Sequence, residues 1–286
     1  MNGFTGTGVA RIGAPGMERP IVAVDGNVCD ASSLTADITG EFLANDGIDQ
    51  LVAAAIDGTL PSLTLNGERF GPPIVQPSKV VCIGLNFHDH ARETGAASPE
   101  EPIIFLKDPG CVVGPNDDVL IPRNSVKTDW EVELAVVIGR TARYLDDPSH
   151  SPSHIAGFTI ANDVSEREFQ HERGGQWDKG KSCETFNPLG PWLVPASSLS
   201  DPQNLAMTLA LNGNVRQSSS TSEMIFGINH LIWYLSQFMV LRPGDVINTG
   251  TPAGVAKGSA DLRYLRTGDV LDLNIDQLGS QRQSIH

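Results

Sequence analysis

The sequence predicts an α+β, β-rich chain, with a small N-terminal domain over residues 1–75 and a larger domain over 76–286. Three observations carry that prediction. From Lys79 onward, short apolar and β-branched runs recur between Gly and Pro residues, the pattern of many short strands. One long stretch, 224–239, holds a sustained helical period. Between the two domains, Gly71-Pro72-Pro73 and Pro77 make a stiff connection of the kind that separates folding units.

Residues 20–30 read as a hairpin turning on Asp25-Gly26-Asn27. Residues 34–56 then carry Phe42, Leu43, Ile48, Val52 and Ile56 at spacing that suits a helix. In the second domain the candidate strands are 80–84, 102–107, 119–122, 134–138, 155–163 and 205–211, the last turning at Asn212-Gly213-Asn214. Strands around 246–248 and 270–275 close the set. Each begins within a shared pattern, Gly-Asp-Val-(Ile/Leu) at 244–247 and 268–271, read as a tight turn feeding a strand. Ser220 to Glu223 has capping-box spacing and opens the predicted long helix, which contains His230 and ends at Pro243-Gly244. Ser165 to Glu168 repeats that spacing and predicts a second, short helix.

A formal net charge of −14 and a pI near 4.8 argue against nucleic-acid and anionic-membrane partners. Cys29, Cys82, Cys111 and Cys183 are scattered with no Cys-x-x-Cys pair, which fits a reducing compartment. The first residues lack a basic flank followed by an apolar run, and no stretch has the ~20 apolar residues needed to span a bilayer. A soluble, cytoplasmic protein is expected.

The chemistry centres on residues 127–140. In an extended chain Trp130, Val132 and Leu134 share one face, and Glu131 and Glu133 share the other. Two carboxylates roughly 6 to 7 Å apart repel by about 2 to 3 kcal/mol at an effective dielectric of about 20. Solvent exposure, raised pKa values or a bound cation could each compensate. Asp163 ends the candidate strand 155–163 and is the first candidate for a third carboxylate. Three carboxylates with no Cys or His cluster beside them suit a hard cation, Mg²⁺ or Mn²⁺. In a metal-free protein, one of Glu131 and Glu133 should then have a strongly raised pKa.

Other segments offer further chemistry. His90 and Glu93 are side by side on a helical turn, where the carboxylate would fix the imidazole tautomer and raise its basicity for activating water. Glycines around Lys179 and Lys181 suggest a mobile segment from which Lys181 could reach an anion. Gly250-Thr-Pro-Ala-Gly254 suggests a tight loop whose N–H groups and Thr251 hydroxyl could hold a carboxylate.

In order, these pieces resemble the fumarylacetoacetate hydrolase family. The likeness rests on Ile83-Gly-Leu-Asn-Phe-His-Asp-His-Ala-Arg-Glu93, Asp129-Trp-Glu-Val-Glu-Leu134, Asn162-Asp-Val-Ser-Glu-Arg-Glu-Phe-Gln170, Lys179-Gly-Lys-Ser182 and Gly250-Thr-Pro-Ala-Gly254. The resemblance implies a mixed rolled-sheet core, a homodimer, and Mg²⁺ or Mn²⁺ on Glu131, Glu133 and Asp163. It implies catalytic roles for His90, Glu93 and Lys181, and substrate contacts from Lys107, Arg167, Gln170 and Thr251. Phe87 and the pair Cys183-Glu184 depart from the family pattern.

The activity it implies is hydrolysis of the C3–C4 bond of a 2,4-dioxo acid through a metal-chelated enolate. The run Glu172-Arg-Gly-Gly-Gln-Trp177 looks most like members acting on 2,4-dioxo-3-deoxy sugar acids, and acylpyruvates are the other hydrolytic substrate class. Oxaloacetate decarboxylation and isomerisation of 2-hydroxyhepta-2,4-diene-1,7-dioate are the alternatives within the family. A non-catalytic 2-oxo-acid binding protein is the alternative outside enzymes.

Overall fold

The computed structural model describes residues 4–258 and 263–286. The chain begins with strands β1 (Gly8–Ile12), β2 (Arg19–Val24) and β3 (Asn27–Asp30), then helices α1 (Gly40–Ala44) and α2 (Gly47–Ile56). Strand β4 (Val80–Gly84), helix α3 (His88–Thr94) and strands β5 (Ile103–Lys107), β6 (Val112–Val113), β7 (Thr128–Asp129), β8 (Val132–Ile138), β9 (Ile155–Asn162) and β10 (Ser165–Glu166) follow. Then come α4 (Arg167–His171), α5 (Asp178–Lys181), β11 (Asn187–Pro188), β12 (Val194–Pro195), β13 (Ala206–Leu211) and β14 (Asn214–Ser220). Helix α6 (Ile228–Ser236) and strands β15 (Val246–Asn248), β16 (Val270–Ile275) and β17 (Gly279–Ser284) complete the order.

A mixed sheet in the order β12-β9-β8-β15-β4-β5 forms the centre. One of its faces packs Val81, Val132, Leu134, Val136 and Ile160 with Met207, Leu209, Leu271 and Leu273 of the antiparallel sheet β14-β13-β16-β17. The other face packs Val80, Cys82, Ala135, Val137 and Val246 against Val9, Val22 and Leu51 of the N-terminal layer. Covered on both sides, β8 has every residue buried, which is why its sequence is a continuous apolar run interrupted only by Glu133. The N-terminal sheet β1-β2-β3 joins the rest through Val9 and Leu193, which exchange both backbone hydrogen bonds, at 3.0 and 2.8 Å.

The predicted turns form as expected. Asp25 and Gly26 have φ of 49° and 80° between β2 and β3, and Asn212 and Gly213 have 51° and 77° between β13 and β14, both in the left-handed region that two-residue hairpins require. Gly244 and Gly268 precede β15 and β16 with φ of 87° and 92°, so the repeated Gly-Asp-Val is one turn used twice.

Four expectations need correction. The stretch 34–56 is two helices, broken where Asp46 turns to a φ of 55°. Residues 119–122 do not form a strand of their own; Val119 makes a single bridge to Ile285. The long helix begins only at Ile228. Strand β14 runs on to Ser220, whose side chain caps a short 3-10 turn at Thr221–Glu223 instead. Beyond that turn, Asn86 takes the N–H groups of Ile225 (2.7 Å to its carbonyl) and Phe226 (2.9 Å to its side chain), holding the chain extended. Finally, α4 is capped by Glu166 rather than Ser165.

Candidate active site

Pairing places the three acids together. Glu133 stands opposite Ala161 in the β8–β9 ladder, and the Asp163 N–H donates to the Glu131 carbonyl at 2.9 Å just beyond it. One carboxylate oxygen from each of Glu131, Glu133 and Asp163 lies within 4.8 Å of the others. Their exposures are 6%, 1% and 0%, so solvent does not separate these charges. Trp130, Val132 and Leu134 enter the core on the opposite side, as the two-residue period predicts.

Cations compensate unevenly. The Lys181 ammonium donates to Glu131 Oε2 at 2.7 Å and to Asp163 Oδ2 at 2.8 Å. Lys107 pairs with Asp163 and donates to the Val164 carbonyl at 3.1 Å. Arg167 lies 2.8 Å from both Asp129 Oδ2 and Glu131 Oε1. Among the described residues, the hydrogen bond to Glu133 comes from the Gly250 N–H, at 2.8 Å. Burial would raise the Glu131 carboxyl, but Lys181 and Arg167 overcome it and hold it below the usual carboxylate range. Burial raises Glu133 well above that range, and Asp163 and Glu131 push it further. Of the two candidates for a raised pKa, Glu133 is the one.

This donor set fits a hard divalent cation. It is all oxygen, it is buried, and it contains one carboxylate whose charge the protein leaves nearly unmatched.

Helix α3 stands beside the acids. Leu85, at a φ of 50°, bends the chain out of β4, and the buried Asn86 side chain donates to the Phe226 and Thr249 carbonyls at 3.1 and 2.8 Å. His90 Nδ1 lies 3.4 Å from Glu93 Oε2. Partial burial pushes the Glu93 carboxyl up, but the His90 ring and the Gly254 N–H pull it below its ordinary value. The 250–254 loop does cradle carboxylates, and they are the protein's own. Gly250 donates to Glu133, Ala253 to Asp89 at 3.3 Å, and Gly254 to both Glu93 oxygens at 3.1 Å.

A cavity of about 300 Å³ gathers His90, Glu131, Glu133, Arg167, Gln170, Lys181 and Thr251 on its walls. Asp163 and Lys107 lie behind the floor, and Glu93 lies behind His90, outside the lining. Lys107 is 2% exposed and committed to Asp163. The Thr251 hydroxyl donates to the Val132 carbonyl at 3.0 Å and accepts from Gln217 at 2.8 Å. Lys181 does not sit on a mobile segment. It ends α5, and Gly180 allows close packing there, since a Cβ would lie 2.4 Å from the Glu166 carbonyl oxygen.

Sequence reasoning missed Leu85, Phe105, His171, Trp177 and Lys257 as lining residues. His171 follows Gln170 on α4, the one adjacency that could have flagged it. Desolvation, then Lys257, Arg167 and Lys181, push its pKa down to about 4. Nothing in the local sequence marks Lys257.

Comparison with known proteins places the chain among relatives. The profile of a family described as fumarylacetoacetate (FAA) hydrolase, C-terminal, matches residues 79–286. A 2,4-didehydro-3-deoxy-L-rhamnonate hydrolase from Sphingomonas sp. is 44% identical over 279 residues, covering 96% of this chain and 94% of that one. The fumarylacetoacetate hydrolase of Exiguobacterium antarcticum superposes with a TM-score of 0.85 at 33% identity, covering 98% and 99% of the two chains. Maleylpyruvate hydrolase from Sphingobium sp. SYK-6, solved with manganese(II) and pyruvate, superposes with a TM-score of 0.79 at 27% identity, over 97% and 98%.

Proposed function

The chain belongs to the fumarylacetoacetate hydrolase family, and from that premise we propose that it is a metal-dependent hydrolase of 2,4-dioxo acids. It cleaves the C3–C4 bond of a 2,4-dioxo-3-deoxy sugar acid or an acylpyruvate, giving pyruvate and a carboxylic acid. One observation carries the reading. A carboxylate-backed imidazole, His90 on Glu93, faces the same cavity as the acids Glu131 and Glu133. The relative named for a dioxo sugar acid supports the substrate class, and the neighbour solved with manganese and pyruvate supports the ion and the product.

Glu131, Glu133 and Asp163 would hold Mg²⁺ or Mn²⁺, which when bound supplies Lewis-acid polarisation of a 2-oxo carboxylate. The rest falls to the chain. Glu93 orients His90, and the imidazole takes a proton from water, whose oxygen adds to the C4 carbonyl. The C3–C4 bond then breaks with its electron pair going to C3, which is protonated in turn from the imidazolium. Lys181 and Arg167 keep positive charge beside the acids, where the 2-oxo oxygen gains negative charge during cleavage. Gln170 accepts from Arg167 at 3.0 Å and holds its guanidinium in place.

The test is a product assay with Mg²⁺ or Mn²⁺ on acylpyruvates, dioxo sugar acids and oxaloacetate. Pyruvate and a carboxylic acid are expected from a diketone; CO₂ from oxaloacetate with no diketone cleaved would overturn the reading. His90→Ala should lose about 10² to 10⁴ in rate while binding Mn²⁺ as the parent does. A variant hydrolysing at full rate would remove His90 from the mechanism.

A further inference from the structure

Beside the charged floor, the cavity has a wall of another character. Leu85, Ile103, Phe105 and Trp177 line it, and Leu85, Ile103 and Trp177 are only half-buried in the free protein. The wall abuts the acids directly, because the Lys181 ammonium lies 4.9 Å from the centre of the Phe105 ring. The centres of the Phe105 and Trp177 rings are 5.5 Å apart, and the His171 ring stands nearly perpendicular to Trp177 with centres 5.6 Å apart.

Trp177 is fixed in that position. A Cβ on Gly84 would lie 2.7 Å from Trp177 Cζ3, so the indole occupies the space a side chain would take. Gly180 clamps α5, which begins just after Trp177, against α4. Leu85 adopts a left-handed φ of 50°, a conformation that costs a non-glycine residue free energy and collects at functional sites. Half-exposed apolar groups in a concave wall continuous with a polar floor are the usual build of a ligand pocket.

We propose that this wall is the subsite for the substituent beyond C4, that it takes an apolar arm, and that Trp177 sets the arm's size. The inference rests on the proposed 2,4-dioxo-acid reading and narrows it. Of the two substrate classes proposed above it selects the acylpyruvates: the arm is a methyl, short alkyl or similarly apolar-surfaced group, in place of the hydroxyl chain of a sugar acid or a second carboxylate. His171 and Lys257 stand on the cavity wall as the polar competitors for that arm.

N-alkyl oxamates test this without turnover, since they present the same oxo-carboxylate with a neutral arm and are not cleaved at a C–C bond. Calorimetric titration of the Mn²⁺-loaded protein should show affinity rising from oxamate to short N-alkyl arms and falling again beyond a size limit. Trp177→Ala should move that limit to longer arms, binding N-hexyl oxamate about tenfold more tightly than the parent, the discrimination a methylene or two supplies in an apolar pocket. Gly84→Ala, which displaces the same ring from the other side, should weaken the short-arm ligands and leave oxamate unchanged.

An unaltered ranking in both variants would overturn the proposal. A carboxylate-ended arm binding as tightly as an alkyl arm of equal length would also overturn it and give the wall to Lys257 and His171. Failure to cleave any dioxo acid would sink the hydrolase reading while leaving these affinities readable.

Discussion

The floor of the cavity and the helix at its rim both set a carboxylate against a basic group, in opposite surroundings. At the floor, Lys181 meets Glu131 at 2.7 Å and Asp163 at 2.8 Å, with side chains 7% exposed or less. At the rim, His90 meets Glu93 at 3.4 Å with 15% and 22% exposed, and Arg92 meets Glu223 at 3.1 Å with 69% and 39% exposed. Water screens the rim pairs and leaves the floor charges dependent on each other. The floor therefore couples stability to function. The rim can change function with little effect on stability.

The largest effect should come from removing the acid that serves two lysines. Asp163→Ala leaves the buried Lys107 ammonium without the carboxylate it pairs with among the described residues, and leaves the buried Lys181 with Glu131 alone. Breaking a buried pair this way costs about 3 to 5 kcal/mol. Urea denaturation of the metal-free protein should show a loss of that order. A loss under about 1 kcal/mol would mean the floor is screened as the rim is, and the contrast would fail.

The two glutamates sharpen the comparison within the floor, because their shifts have opposite signs. Glu131 is depressed below 4.5, so its contribution is complete above that value and fades as pH falls toward the native one. Glu133 is raised above 4.5, so the native state holds a proton that the unfolded chain gives up, and stability falls as pH rises from there through the native value. In EDTA, Glu133→Gln should abolish that decline and stabilise the protein at neutral pH, while Glu131→Gln destabilises it by leaving Lys181 and Arg167 short of a partner. Urea midpoints between pH 5 and 8 read both. A Glu133→Gln protein with the parent's pH slope would break the assignment.

How much of this was legible follows the same division. Features set by local rules could be read: the two-residue period that separates Glu131 and Glu133 from Trp130 and Val132, the left-handed hairpin turns, and the i, i+3 spacing of His90 and Glu93. Features set by distant partners could not. The capping-box spacing at Ser220 was overridden because Asn86, far away in sequence, takes the next N–H groups. The glycines around Lys181 suggested motion, whereas Gly180 is there for close packing against Glu166. Phe105 and Lys257 reach the cavity only once the sheet is assembled, and no motif announces them; Trp177 ends the run 172–177 that carried part of the resemblance, but its place on the cavity wall is set by the assembled sheet.

The smallest expected effect is the most direct check on the rim. Arg92 lies on α3 two residues from His90, and among the described residues its ion pair crosses to Glu223, the last residue of the turn that Ser220 caps. Both side chains keep much of their hydration, so Arg92→Ala should change stability by less than about 0.5 kcal/mol. The helix is held by other means, through Asp89 accepting from Ser219 at 2.6 Å and Glu93 accepting from Gly254 at 3.1 Å. His90 should therefore keep its place, and hydrolytic rate should stay within about twofold of the parent, a change worth only about 0.4 kcal/mol. If Arg92→Ala cost as much stability as a floor variant, or slowed hydrolysis as His90→Ala does, the rim would be energetically continuous with the floor.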